Sequence, residues 1–304
     1  MMSYSEIIAS GFFENLFKLL GFFPRAWTAT IADILGGMLF CVDKKHRDIA
    51  MGNLTYAFGD QKQPQEINKI ARQVFVNLMQ VIFEIGWSLQ LKESQFAEHF
   101  RIDGYHHIKN AYEKGKGVLA LTAHFGNWEL LTIIAAMIRF PINIVIRPLD
   151  FKPLDHFIFN LRTRYGGKII PKQRSFRTII RCLNRGEMVA LLMDQNVDWY
   201  EGVFVDFMGH RACTNKGLAL LALKTGAPVI PVFMIRGKKG FRAEFGPEIC
   251  TLKTGDKQKD IELNTQAYNR VIENVIHRYP DQWFWIHQRW KTKPYQPWPR
   301  KTDG

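Results

Sequence analysis

Four short apolar runs, residues 118–123 (VLALTA), 142–146 (INIVI), 188–193 (MVALLM) and 228–235 (PVIPVFMI), recur between residues 118 and 235. They are apolar throughout rather than alternating, which marks strands covered on both faces. The stretches between them, 127–138, 153–165, 175–184 and 215–225, have helical character, and a further long helix is expected at 259–278. Strand and helix in turn predict an α/β body around a mostly parallel sheet flanked by helices. The change to this pattern falls at Gly117, after a turn-rich segment around Gly104.

Upstream the periodicity is different. From 44 to 91 the reading is helical, with Ile67, Ile70, Ala71, Val74, Phe75, Leu78, Val81 and Ile82 at three- and four-residue steps. Residues 11–42 are strongly apolar, but Glu14, Lys18, Arg25 and Asp33 interrupt them. No uncharged run therefore reaches the roughly 18 residues of a clear spanning helix. A basic leader and an A-x-A site are lacking, so the segment is expected to be retained as an anchor, lying in the membrane interface or spanning with help from its neighbours. The alternative is a buried helical hairpin. Lys44, Lys45 and Arg47 follow at once and would hold the body on the cytoplasmic face. This divides the chain into an anchor at 1–43, a helical part at 44–98 and an α/β part at 99–304.

A net charge of +13 over 304 residues predicts attraction to polyanions, and 23 Phe and 8 Trp turn that attraction toward an anionic membrane or glycolipid rather than nucleic acid. Four cysteines without a C-x-x-C pair fit neither a disulfide scaffold nor a zinc site. There is no G-x-S-x-G elbow, H-E-x-x-H, P-loop or G-x-G-x-x-G. Neither a metal nor a bound cofactor is expected.

The segment 121–130, LTAHFGNWEL, concentrates the chemistry. A buried strand would end at His124, at the carboxyl end where open α/β sheets bind ligands. Gly126 permits a tight turn and Asn127 suits the cap of the next helix. Glu129, in the first turn of that helix, is expected to fold back toward the imidazole, fixing its tautomer and raising its basicity. Asp194 ends another apolar run on the same rim; it is a second candidate partner for the imidazole, ranked below Glu129.

The string HFGNWE resembles the H-x-x-x-x-D/E signature of the glycerolipid acyltransferase superfamily, in the form of its branch that completes lipid A with secondary acyl chains. RTRYGGKII, LLMDQN, VDFMGHRACT, TGAPVIPVF and PDQWFWIHQRWK follow in that family's order, so the resemblance covers nearly the whole chain. One departure is Met208, where the family usually has a second Phe before Gly209; it is expected to affect the acyl pocket and not the chemistry.

The resemblance implies direct O-acyl transfer at a bacterial inner membrane, from an acyl carrier protein or coenzyme A thioester to a lipid A precursor. A lysophospholipid or a phosphatidylinositol mannoside is the alternative acceptor, and a non-catalytic protein that binds membrane or nucleic acid through its basic surface is the rival reading. His124 would be the general base, and acyl carrier protein the expected partner. Arg162, or less favoured Arg164, would serve the oxyanion, in competition with backbone amides near Asn127. Substrate contacts are expected from Asn127, Arg147, Arg164 and Gln195.

Two basic features remain. Arg174, Arg177, Arg181 and Arg185 lie at helical spacing opposite Phe176, Ile179, Ile180 and Leu183, a stripe suited to lipid phosphates or an acidic carrier protein. Arg174 and Arg177 are therefore further substrate-contact candidates. Near the C-terminus, Trp283, Trp285, Trp290 and Trp298 alternate with Arg289, Lys291, Lys293, Arg300 and Lys301, a composition fit for a bilayer interface; Trp283 and Trp285 are also core candidates.

Overall fold

A computed structural model describes residues 4–294. The chain opens with α1 (Tyr4–Gly21), α2 (Arg25–Val42), α3 (Lys44–Phe58) and α4 (Pro64–Ser88). Asp43 caps α3 by accepting from the His46 amide at 3.2 Å. Pro64 opens α4 where no amide donor is needed, and the Glu66 carboxylate accepts from the Gln63 amide at 3.1 Å. The helical reading of 44–91 thus resolves into two helices with a break at 59–63.

Helices α1 and α2 pack along α4. The charges that interrupt their apolar sequence are partly neutralised: Asp33 accepts from Arg72 of α4 at 2.8 and 3.0 Å, and Lys18 pairs with Glu14 at 2.7 Å. Trp27, Ile34, Leu35, Met38 and Val42 form an exposed apolar stripe on α2. By length and composition α2 is able to cross a membrane.

The α/β part continues through α5 (Phe96–His99), β1 (Phe100–Asp103), α6 (Tyr105–Glu113) and β2 (Val118–Thr122). After a 3-10 turn at Trp128–Leu130 come α7 (Leu131–Ile138), β3 (Ile142–Ile146), α8 (Lys152–Thr163), β4 (Lys168–Pro171), α9 (Phe176–Asn184) and β5 (Met188–Leu192). A hairpin of β6 (Gly202–Phe207) and β7 (His210–Asn215) precedes α10 (Gly217–Thr225), β8 (Val229–Arg236), β9 (Phe241–Phe245) and α11 (Lys257–Arg278). The segment around Gly104, expected to be turns, instead contains α6.

Seven strands form one sheet in the order β1-β9-β8-β2-β5-β3-β4. Strands β8, β2, β5, β3 and β4 are mutually parallel, and β9 turns back antiparallel to β8 and carries β1 beside it. The α/β expectation therefore holds.

The continuous apolarity of the central strands has a direct cause. Leu119, Leu121, Val189 and Val229 face a layer that includes α3, α4, α10 and α11, while Val118, Ala120, Met188, Ala190 and Ile230 face one that includes α6 and α7. Met208 lies in the β6–β7 turn with φ 52°, followed by Gly209 at φ 78°. It does not line the apolar cavity described below.

Candidate active site

The register of two neighbouring strands builds the centre. Thr122 of β2 is paired with Leu192 of β5, and Met193 N donates to Thr122 O at 3.0 Å. Two residues beyond each of those pairing positions stand His124 and Asp194. The imidazole Nδ1 lies 3.0 Å from Asp194 Oδ1, and the His124 amide donates to Oδ2 at 3.1 Å. The Trp283 indole N–H donates to the same Oδ2 at 2.8 Å.

Asp194 is fully buried. Burial alone would raise its pKa, but the attraction of His124 and the hydrogen bonds from His124 and Trp283 outweigh it and hold the carboxyl well below the usual range. It is therefore an anion at the inner end of the imidazole. With Nδ1 committed to this carboxylate, Nε2 is left to carry the lone pair. The rings of Trp128 and Phe284 flank the imidazole at centroid distances of 5.1 and 6.0 Å.

The expectation that Glu129 orients His124 is corrected. The turn at 125–127 and the 3-10 segment carry Glu129 away from the imidazole toward α8. There its carboxylate accepts from Arg162 Nε at 2.8 Å and Nη2 at 2.6 Å, and from the Trp128 indole at 2.9 Å. Burial opposes the charge on Arg162, but the facing Glu129 more than compensates and raises its pKa. This pair borders a mostly apolar cavity against the carboxyl ends of β2 and β5 and the first half of β3, with Thr122, Leu131, Ile142, Ile144 and Leu192 among its walls.

Other expected positions are placed as follows. Asn127 is not a side-chain cap and is fully buried; it donates to Glu84 at 3.0 Å and to the Val81 carbonyl at 3.3 Å, which locks the loop to α4 and keeps this side chain from substrate. Arg164 is spent on the Leu89 carbonyl at 2.9 Å. Arg147 is exposed past the end of β3, 3.6 Å from Asp150, and Gln195 is exposed next to Asp194. Arg174, with φ 56°, precedes α9 rather than belonging to it. Arg177 and Arg181 are exposed on α9, and Arg185 at its end pairs with Glu187 at 2.8 Å.

The role of the C-terminal segment also changes. Trp283 and Trp285 are in the core, the alternative already open for them, and Trp290 and Arg289 are buried too, not interfacial; Trp298, Arg300 and Lys301 lie outside the described residues. The strap at 280–290 underlies the loop that carries His124: Gly126 N donates to Gln282 O at 2.9 Å, and Phe284 N donates to His124 O at 3.1 Å. Arg289 is held by the Cys213 carbonyl at 3.0 Å and Thr214 Oγ1 at 2.6 Å, with Phe207 stacked 4.6 Å from its guanidinium. Sequence reasoning did not find these contacts of Trp283 and Phe284, because nothing local links them to Asp194 and His124, far upstream.

Burial pushes His287, in the same strap, down to about 4. A histidine whose folded pKa is depressed leaves the unfolded chain binding more protons between about pH 6.5 and 4. Its contribution is thus intact above that window and lost as pH falls through it, by at most about 3 kcal/mol. We expect the denaturation midpoint of the protein to drop from pH 7.5 to 5, and His287→Gln to flatten that dependence. Parallel pH slopes for the two proteins would refute it.

The comparisons with known proteins bear on this geometry. Residues 9–292 match the family model described as bacterial lipid A biosynthesis acyltransferase. A lipid A biosynthesis acyltransferase of Haemophilus influenzae is 28% identical over 90% of this chain and 85% of its own. The lipid A biosynthesis palmitoleoyltransferase of Escherichia coli is 27% identical over 86% and 83%. A phosphatidylinositol mannoside acyltransferase of Mycolicibacterium smegmatis is 23% identical over 66% and 65%.

Proposed function

The chain belongs to the bacterial lipid A biosynthesis acyltransferase family, and from that membership we propose how its residues carry out transfer of a fatty acyl group to a lipid A precursor. The observation that carries the reading is the His124–Asp194 pair at the rim of the sheet, next to an apolar cavity. Nε2 of His124 takes the proton of the acceptor hydroxyl, and the alkoxide oxygen attacks the thioester carbonyl. As the tetrahedral intermediate collapses, the C–S bond breaks and the proton passes from the imidazolium to the departing thiolate. Asp194 holds the imidazole in the required tautomer and stabilises its charged form.

Arg162 serves the oxyanion. Glu129 fixes it through Nε and Nη2, and Nη1 has no protein partner among the described residues. Glu129 accordingly positions an arginine instead of a histidine. The apolar cavity, about 40 Å³ as it stands, takes the first carbons of the acyl chain next to the thioester. The donor is an acyl carrier protein thioester, which the exposed guanidinium groups of Arg174, Arg177 and Arg181 attract through its acidic surface. The work is done at a membrane, and the apolar stripe of α2 with Lys44, Lys45 and Arg47 after it supports the cytoplasmic face of the inner membrane.

The test is transfer from a radiolabelled acyl carrier protein thioester, with the coenzyme A thioester in parallel, to a lipid A precursor, a lysophospholipid and a phosphatidylinositol mannoside. One added ester on the lipid A precursor, formed faster from the carrier protein thioester, is the expected product by mass spectrometry. Transfer from coenzyme A alone would remove the assigned donor, and preference for another acceptor would remove the assigned substrate.

A further inference from the structure

A second cavity, of about 410 Å³, opens where the first turn of α2, the middle of α4 and the β8–β9 turn meet. Arg25, Gln80, Glu84, Arg236, Lys238 and Lys239 supply its polar lining. Glu84 is committed to Arg236, which it meets through both carboxylate oxygens. Arg25, Lys238 and Lys239 then remain as three cations without an ion-pair partner among the described residues. Arg25 is held in place by stacking, its guanidinium 4.5 Å from the centre of the Trp87 ring. The buried amide oxygen of Gln80 has no hydrogen-bond partner, and the same amide turned over presents N–H donors instead.

Lys238, Lys239 and Arg25, which Glu84 also attracts from further off, together outweigh the charge of a phosphate monoester, about −1.5 to −2 at neutral pH. Position narrows the source. Arg25 begins α2, the helix able to enter a bilayer, so the cavity lies where that apolar helix starts. Glu84 in its wall also accepts from Asn127, three residues from His124, and Arg236 exchanges hydrogen bonds with Gln282 beneath the same loop.

We propose that this cavity binds the phosphate of an anionic lipid, and that the acceptor itself brings that phosphate while its hydroxyl reaches His124. The inference rests on the acyl-transfer reading above and adds to it the group by which the acceptor is held.

The experiment uses the full chain in micelles of a neutral detergent. A lipid A precursor and the same precursor after phosphatase treatment serve as acceptors for wild type, Lys238→Ala/Lys239→Ala, and Lys253→Ala/Lys257→Ala, which removes equal charge from another exposed region. The first double variant is expected to raise KM about tenfold for the phosphorylated acceptor relative to the treated one, while the second leaves that ratio within twofold. A parallel arm adds phosphatidylglycerol to the treated acceptor. Stimulation of wild type but not of the first variant would place a bilayer phosphate in the cavity and overturn the acceptor as its source. An unchanged KM ratio together with equal phosphatidylglycerol responses overturns the site altogether. Should wild type acylate neither acceptor, the parent reading fails and this one with it; transfer indifferent to phosphate defeats this inference alone.

Discussion

His124→Ala is expected to lower the turnover number for acyl transfer by about 10³, and Asp194→Asn by nearly as much. The alanine variant loses the only group in the described site placed to take the hydroxyl proton. The asparagine variant keeps the imidazole but removes its anion. A carboxamide NH2 turned toward Nδ1 favours the tautomer with its proton on Nε2, which cannot act as base. Burial fixes that orientation, because the His124 amide and the Trp283 indole both donate to the Oδ2 position and so require the amide oxygen there, leaving the NH2 to face Nδ1.

Glu129→Gln separates the two carboxylates. It retains part of the contact with Arg162 and should cost about tenfold, less than outright loss of an oxyanion donor. Its pH–rate profile should keep the basic-group limb of the wild type. Single-turnover rates on protein of unchanged melting behaviour decide the matter: wild-type turnover in Asp194→Asn, with Glu129→Gln inactive, would reverse the assignment.

Gly126→Ala should be nearly as damaging by a different route. Gly126 has φ 58°, where an L side chain costs roughly 1–2 kcal/mol. A Cβ there would overlap the Met234 carbonyl oxygen of β8, a backbone atom in the centre of the sheet that cannot swing aside. Relief by backbone shifts adds about 1–3 kcal/mol, so a total loss near 2–5 kcal/mol is expected in denaturant titrations. The Gly126–Gln282 hydrogen bond lies in the same turn, so the shift also moves His124, and a displacement of about 1 Å is enough for a hundredfold loss of rate. Wild-type stability in this variant would contradict the packing described for the turn.

The central architecture was legible because burial on both faces leaves a local mark. β2, β3, β5 and β8 are uniformly apolar and begin and end within a residue or two of the expected runs. The sheet's other members carry weaker marks. β9 reads FRAEF, with alternate residues buried, and β1 reads FRID at the sheet's edge, so neither has a continuous apolar run. β4 is four residues long.

For the site, His124 and its position at a strand end could be read directly, whereas its partner could not. Glu129 is near in sequence, but Asp194 is near in space only because β5 is the strand paired to β2, and strand order is a property of the whole sheet. Arg162 stood out in the sequence only through its motif, and its tie to Glu129 depends on where α8 crosses the rim. Trp290 and Arg289 misled through composition: tryptophans beside cations suit an interface, but here both side chains are buried, and Nη1 and Nη2 of Arg289 are bonded inside the protein.

The strap at 280–290 has a consequence for biosynthesis. Gln282, Trp283 and Phe284 hold the loop of His124 and the carboxylate of Asp194, although the ribosome makes them some 90 to 160 residues later. A nascent chain that has completed every strand of the sheet still lacks the clasp on its reactive centre. A chain stopped before residue 280 is therefore expected to lack the hydrogen bonds that hold the His124 loop and the Asp194 carboxylate.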